Sequence, residues 1–191
     1  MALDRRWILG GLLFVGGGIG LVRLLTAQPK LHDDTRLLVI GDSLAEGLHP
    51  HFKQLAADED IVYLGRGVRG SRIDQWADSA WLDDALVDFQ PTLTLVSLGT
   101  NDEYMSGDAV ERQKPHLDEL LAKLEAAGTD IVWIGVPELP KESNGIAEMI
   151  EESVEYYFPS ESLDIPRGPD DLHPTAAGYA GWAGAIWQWL S

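Results

Sequence analysis

From residue 36 onward, short apolar runs alternate with amphipathic stretches. Leu37 to Ile40 is an apolar run closed by Gly41, the pattern of a buried strand. Leu44 to Ala57 then reads as a helix. Ile61 to Leu64 is a second strand, closed by Gly65, and Asp74 to Phe89 a second helix. Leu93 to Leu98 forms a third strand, closed by Gly99. Ala109 to Ala127 is a long helix with Gly128 placed to end it. Ile131 to Val136 is a fourth strand, stopped by Pro137. Ile146 to Glu155 reads as helical, Tyr156 to Phe158 as a short fifth strand, and Thr175 to Leu190 as a last helix. Alternating strands and helices predict an α/β fold: a three-layer α/β/α sandwich around a parallel, flavodoxin-like sheet of about five strands. In such sheets ligands bind beyond the carboxyl ends of the strands, so functional residues are expected just after each run.

The first thirty residues follow a different pattern. Trp7 to Val22 carries no charge and includes six glycines, with Arg5 and Arg6 before it and Arg23 after. This length lies between the core of a signal peptide and a full membrane span. Three readings compete: a signal anchor, a signal peptide cleaved near Ala27, and a buried soluble helix. The arginines in front and Asp33 and Asp34 behind favour an anchor with its amino end inside. Arg5-Arg6 also resembles a twin-arginine export signal. The expected division is residues 1–30 as anchor or signal with linker and 31–191 as one domain. An exported, extracytoplasmic protein follows, attached to the membrane where the segment is kept.

Composition narrows the chemistry. There is no cysteine, which excludes disulfides, thiolate metal sites and a cysteine nucleophile. The formal net charge is −17. Residues 1–30 carry Asp4 against Arg5, Arg6, Arg23 and Lys30, so the remainder carries −20. No nucleic-acid partner is expected of a body without a basic face.

The strand ends hold the candidate chemistry. Gly41-Asp42-Ser43-Leu44 follows the first strand and Gly65-Arg66-Gly67-Val68-Arg69-Gly70 the second. Gly99-Thr100-Asn101-Asp102 follows the third, and Asp170-Asp171-Leu172-His173-Pro174 precedes the last helix. A serine in a glycine-flanked turn, a histidine that can take its proton, a carboxylate three residues before that histidine, and amide donors for an oxyanion are what ester hydrolysis requires. Taken singly, Ser43 would read as a helix cap and Asn101 as a turn residue. Gly65 to Gly70 also fits GxGxxG, but on the second strand, with the helix delayed by Ser71 to Asp74, it is a poor dinucleotide fingerprint. His49-Pro50-His51 has the look of a ligand pair. No third ligand is evident, so it reads as a loop, and neither metal nor cofactor is expected.

The four blocks in this order resemble the GDSL, or SGNH, family of serine esterases and lipases across roughly residues 36–191. The resemblance implies that Ser43 is the nucleophile, His173 the base and Asp170 its orienting acid, with Asp171 where glycine is common. It implies an oxyanion hole of the Ser43 and Gly70 N–H groups and the Asn101 amide. It also implies a small-molecule or glycan-borne ester as substrate. Asp42, Arg69, Arg72 and Pro137 are expected to touch that substrate. Arg66, Arg69 and Arg72 form a local basic patch, though pairing with nearby carboxylates is the commoner fate of such residues. Trp76 and Trp81 could stack on a sugar, but tryptophan at helical spacing more often packs in a core. The absence of a long insertion for a lid favours O-acetyl or short acyl esters, with cell-envelope carbohydrate as a carrier. Lysophospholipase or thioesterase-like activity, and a catalytically idle tethered binding module, are the alternatives.

Overall fold

The computed structural model describes residues 29–191. The expected anchor or signal segment lies outside the described residues but for its last two positions. Among the described residues no helix is long and apolar enough to cross a membrane. Five strands, β1 (Arg36–Gly41), β2 (Val62–Gly67), β3 (Leu93–Ser97), β4 (Asp130–Ile134) and β5 (Tyr156–Phe158), form one sheet in the order β2-β1-β3-β4-β5. Every neighbouring pair is parallel. The helices are α1 (Ser43–Asp58), α2 (Ile73–Ala77), α3 (Ala80–Phe89), α4 (Thr100–Glu103), α5 (Ala109–Ala126), α6 (Ile146–Ser153) and α7 (Ala176–Leu190).

Strand alternation divides the core in two. Leu37 and Val39 of β1 join Leu48 and Phe52 of α1 and Trp182 and Ile186 of α7 on one face. Leu38 and Ile40 join Ile73, Leu82, Leu117 and Ile150, from α2, α3, α5 and α6, on the other. Successive strand residues point to opposite faces, so both faces of β1 are apolar and covered. The result is the expected three-layer sandwich. Trp76, Trp182 and Trp187 are buried, and their indole N–H groups donate to Ser71 Oγ, Ser160 Oγ and Glu59 Oε1, each at 2.9 Å. Trp81 is partly buried against Trp76, edge to face. Both Trp76 and Trp81 therefore pack in or against the core, the commoner place for tryptophan at helical spacing.

Two local expectations are corrected and two features are new. The predicted helix 74–89 is two helices, because the Ser79 side chain accepts from Leu82 N–H and starts α3 afresh. The single turn α4 was not foreseen. The linker before β1 is tied down, with Leu31 N–H donating to Leu190 O at 2.9 Å. His49 to His51 lies inside α1, where His49 Nδ1 meets the Tyr63 hydroxyl, and so forms no loop. Pro50 interrupts the hydrogen bonds of α1, at a cost of about 3 kcal/mol in an isolated helix. The buried stripe Leu44, Leu48, Phe52 and Ala56 runs past it and holds the helix to the sheet.

Candidate active site

β1 and β3 are neighbours, yet the chain leaves β1 toward β2 on one side and β3 toward β4 on the other. Loops diverge from a sheet at such a switch point and leave a crevice at the carboxyl ends. A cleft of about 530 Å³ opens there, lined in part by Ser43, Gly70, Asn101 and His173.

Ser43 begins α1. The preceding Asp42 caps the helix, its Oδ1 accepting Leu44 N–H at 2.8 Å. This places Ser43 at the positive end of a sixteen-residue helix, facing the cleft.

The block from Asp170 to Pro174 is the tip of a small hairpin. Arg167 bridges Pro174 antiparallel, Gly168 N–H donates to His173 O at 2.7 Å, and Thr175 N–H to Pro166 O at 2.9 Å. The Arg167 guanidinium donates to the carbonyls of Leu172 and Glu138, the latter at 2.6 Å. Thr175 caps α7 through Gly178 N–H. Asp171 at the turn has φ of 55°. That left-handed conformation is one that aspartate tolerates and glycine adopts freely.

Asp170 Oδ1 accepts the N–H groups of Leu172 and His173 at 3.1 and 3.0 Å, while Oδ2 meets His173 Nδ1 at 2.7 Å. These bonds, that to the imidazole first, hold the Asp170 carboxyl down at about 2. His173 Nε2 lies 2.9 Å from Ser43 Oγ. Residues 130 positions apart in sequence thus form a hydroxyl–imidazole–carboxylate relay at the mouth of the cleft.

Three amide donors border the same space. Gly70 takes φ of 73°, and a Cβ there would meet nothing within 4 Å, so that side of the residue is open. Among the described residues, neither Ser43 N–H nor Gly70 N–H donates to a backbone carbonyl. Asn101 Nδ2 donates to Asp42 Oδ2 at 3.1 Å and to Ser71 O at 2.9 Å.

The other expected substrate contacts fare differently. Arg69 lines the cleft, but its Nε is bonded to Glu46 Oε2 at 2.6 Å. Arg72 turns to Asp74 at 3.3 Å and does not line the cleft. Arg66 stacks over Trp81. Pro137, three residues past β4, is buried. Asp42 has no exposed surface. Asp42, Arg72 and Pro137 are therefore not placed to touch a ligand in this cleft. Burial pushes the Asp42 carboxyl up to about 7 against the pull of Leu44 N–H, with the Asp102 charge adding to the rise. Burial also raises Asp102, to about 6.

Sequence reasoning missed Glu46, Leu172 and Tyr179, which complete the cleft walls. Glu46 was legible in principle, three residues beyond Ser43 and so on the same helix face. Tyr179 was not, because it arrives from α7, and its ring crosses α1 where Gly47 leaves room for it. Two glycines of the block serve packing. Gly65 and Gly67 lie within β2, and a Cβ on Gly67 would stand 2.4 Å from Glu46 N in α1.

The family model for the GDSL-like lipase/acylhydrolase family matches residues 39–180. No curated protein matches the chain. Among solved structures, a GDSL-like lipase from Bacteroides thetaiotaomicron shares 18% identity with a TM-score of 0.61, over 86% of this chain and 91% of its own. The esterase EstA from a Pseudoalteromonas species, inhibited by monoethylphosphonate, shares 22% with a TM-score of 0.64, over 82% and 99%. An acetyl xylan esterase, AlAXEase, shares 15% with a TM-score of 0.62, over 81% and 100%. At these identities the likeness is one of fold.

Proposed function

The chain belongs to the GDSL-like lipase/acylhydrolase family and is an ester hydrolase, and from that premise we propose that it cleaves O-acetyl or short acyl esters through an acyl-enzyme on Ser43. The observation that carries this reading is the relay itself, Ser43 Oγ to His173 Nε2 at 2.9 Å and His173 Nδ1 to Asp170 Oδ2 at 2.7 Å.

In the first half-reaction Ser43 Oγ attacks the ester carbonyl carbon while its proton passes to His173 Nε2. Asp170 stays ionised, keeps the second proton on Nδ1 and stabilises the imidazolium. The carbonyl oxygen, now an anion, accepts from Ser43 N–H and Gly70 N–H and shares the Asn101 amide with its protein acceptors. Collapse of the tetrahedral species breaks the bond to the alcohol, which leaves with the proton from Nε2. Water then repeats the sequence on the acyl-enzyme, and the acid and Ser43 are released.

The cleft walls support a small acyl group and a hydroxylated alcohol. The lining combines the apolar surfaces of Leu172 and Tyr179 with the Glu46–Arg69 pair, which presents acceptors and donors suited to hydroxyl groups. A carbohydrate bearing O-acetyl groups suits this mixed lining, and the same fold carries an acetyl xylan esterase. Retention of residues 1–30 as an anchor would hold this site near the outer face of a membrane, close to cell-envelope carbohydrate. A series of p-nitrophenyl esters tests the acyl preference. kcat/KM is expected to be highest at two to four carbons, and a maximum at ten or more would overturn the reading in favour of a lipid substrate.

A further inference from the structure

Asp42 is wholly buried beside the nucleophile, yet neither the attack nor the proton relay uses it. Its two oxygens have separate duties. Oδ1 caps α1 through Leu44 N–H, and Oδ2 accepts from Asn101 Nδ2 at 3.1 Å. The second acceptor of that nitrogen is Ser71 O at 2.9 Å. Ser71 is itself fixed, because its Oγ accepts the Trp76 indole N–H at 2.9 Å and its own N–H donates to Val68 O at 3.0 Å.

The two acceptors stand next in sequence to the other oxyanion donors. Asp42 directly precedes Ser43, and Ser71 directly follows Gly70. The Asn101 nitrogen is thus drawn toward both neighbours, and its carbonyl end is turned from them. An asparagine amide is nearly symmetric in shape, so without fixed acceptors either end could face the site. Capping alone would not require this geometry, since a serine or asparagine caps a helix about as well as aspartate.

We propose that Asp42 is a positioning residue: its Oδ2 keeps one N–H of the Asn101 amide, so that the other, held in the resting state by the Ser71 carbonyl, is given to the oxyanion formed beside Ser43. The proposal rests on the reading of Asn101 as an oxyanion donor. Asp42 would act on the transition state through Asn101 and touch no substrate, so its loss falls on kcat and leaves KM nearly unchanged.

A double-mutant cycle on the full chain tests this, with p-nitrophenyl acetate as substrate. Asn101→Ala is expected to lower kcat by about 10²–10³, the usual effect of losing one oxyanion donor. Asp42→Asn keeps the cap but places an amide where the Asp42 Oδ2 accepts from Asn101. It is expected to lower kcat by about ten- to a hundredfold with KM within about threefold. The double variant is expected to be no slower than Asn101→Ala by more than about twofold, because the two residues then act as one unit. Asp42→Ser, which keeps a cap but is too short to reach Asn101, should repeat the result if Asp42→Asn does not fold. Thermal melting identifies which variants are folded. A folded Asp42 variant with wild-type kcat, or losses that multiply in the double variant, would overturn the proposal alone. Wild-type kcat in Asn101→Ala would overturn the oxyanion reading beneath it.

Discussion

Asp170 is held ionised by its own chain, through the N–H groups two and three residues on and the imidazole they position. Replacing it by asparagine keeps the shape but allows the wrong tautomer on His173. Asp170→Asn is expected to lower kcat by about 10³–10⁴ with little change in Tm, which steady-state kinetics and a melting curve would check together. Asp170 and Asp42 also predict opposite responses of stability to pH. Asp170 titrates at about 2 in the folded protein, below its unfolded value, so its contribution is present above the ordinary range and is lost on acidification toward pH 2. Asp42 titrates at about 7, above its unfolded value, so the folded state holds its proton longer. Its contribution to stability therefore falls as pH rises from about 4 to about 7. Asp42→Asn removes that dependence, and its stability relative to wild type is expected to be greater at pH 8 than at pH 5. Urea denaturation at the two pH values reads the difference, and an equal difference at both would contradict the assignment.

At the scale of elements, two joints carry the site. The hairpin tip turns on Asp171, whose left-handed backbone sets Asp170 and His173 on one side. A β-branched residue resists that conformation, so Asp171→Val is expected to cost about 1–2 kcal/mol and to lower kcat, while Asp171→Gly should keep both. The other joint is the contact of β2 with α1 at Gly67. A methyl group there meets Glu46 N at 2.4 Å and Glu46 Cα at 2.6 Å, both backbone atoms that cannot rotate away. Gly67→Ala is expected to lower stability by about 1–3 kcal/mol, seen as a lower urea midpoint, and to displace Glu46 from the cleft wall. The elements themselves were legible because each strand is a short apolar run ended by glycine or proline. The break between α2 and α3 was not, since Ser79 sits in a pattern that is helical on both sides. Pairing was legible only in part: the bond of Arg69 to Glu46 depends on how closely β2 approaches α1, and no local pattern encodes that distance.

For the whole molecule, the order β2-β1-β3-β4-β5 makes the ends of β1 and β3 diverge, and that divergence gathers the motif blocks. Ser43, Gly70, Asn101 and His173 could be found in the sequence because each occupies a strand end or a helix start, where function is expected in a parallel sheet. The cleft walls were harder to read. Tyr179 and Leu172 reach the cleft only through the packing of α7 on α1, and Asp42 differs from a substrate contact only by being wholly buried. The central claim is that this arrangement activates a single serine. Treatment of the full chain with a fluorophosphonate, followed by peptide mass spectrometry, tests it most directly. The account predicts one phosphonylated residue, Ser43, and no adduct in Ser43→Ala. A folded chain that stays unlabelled, or one labelled at another serine, would contradict it.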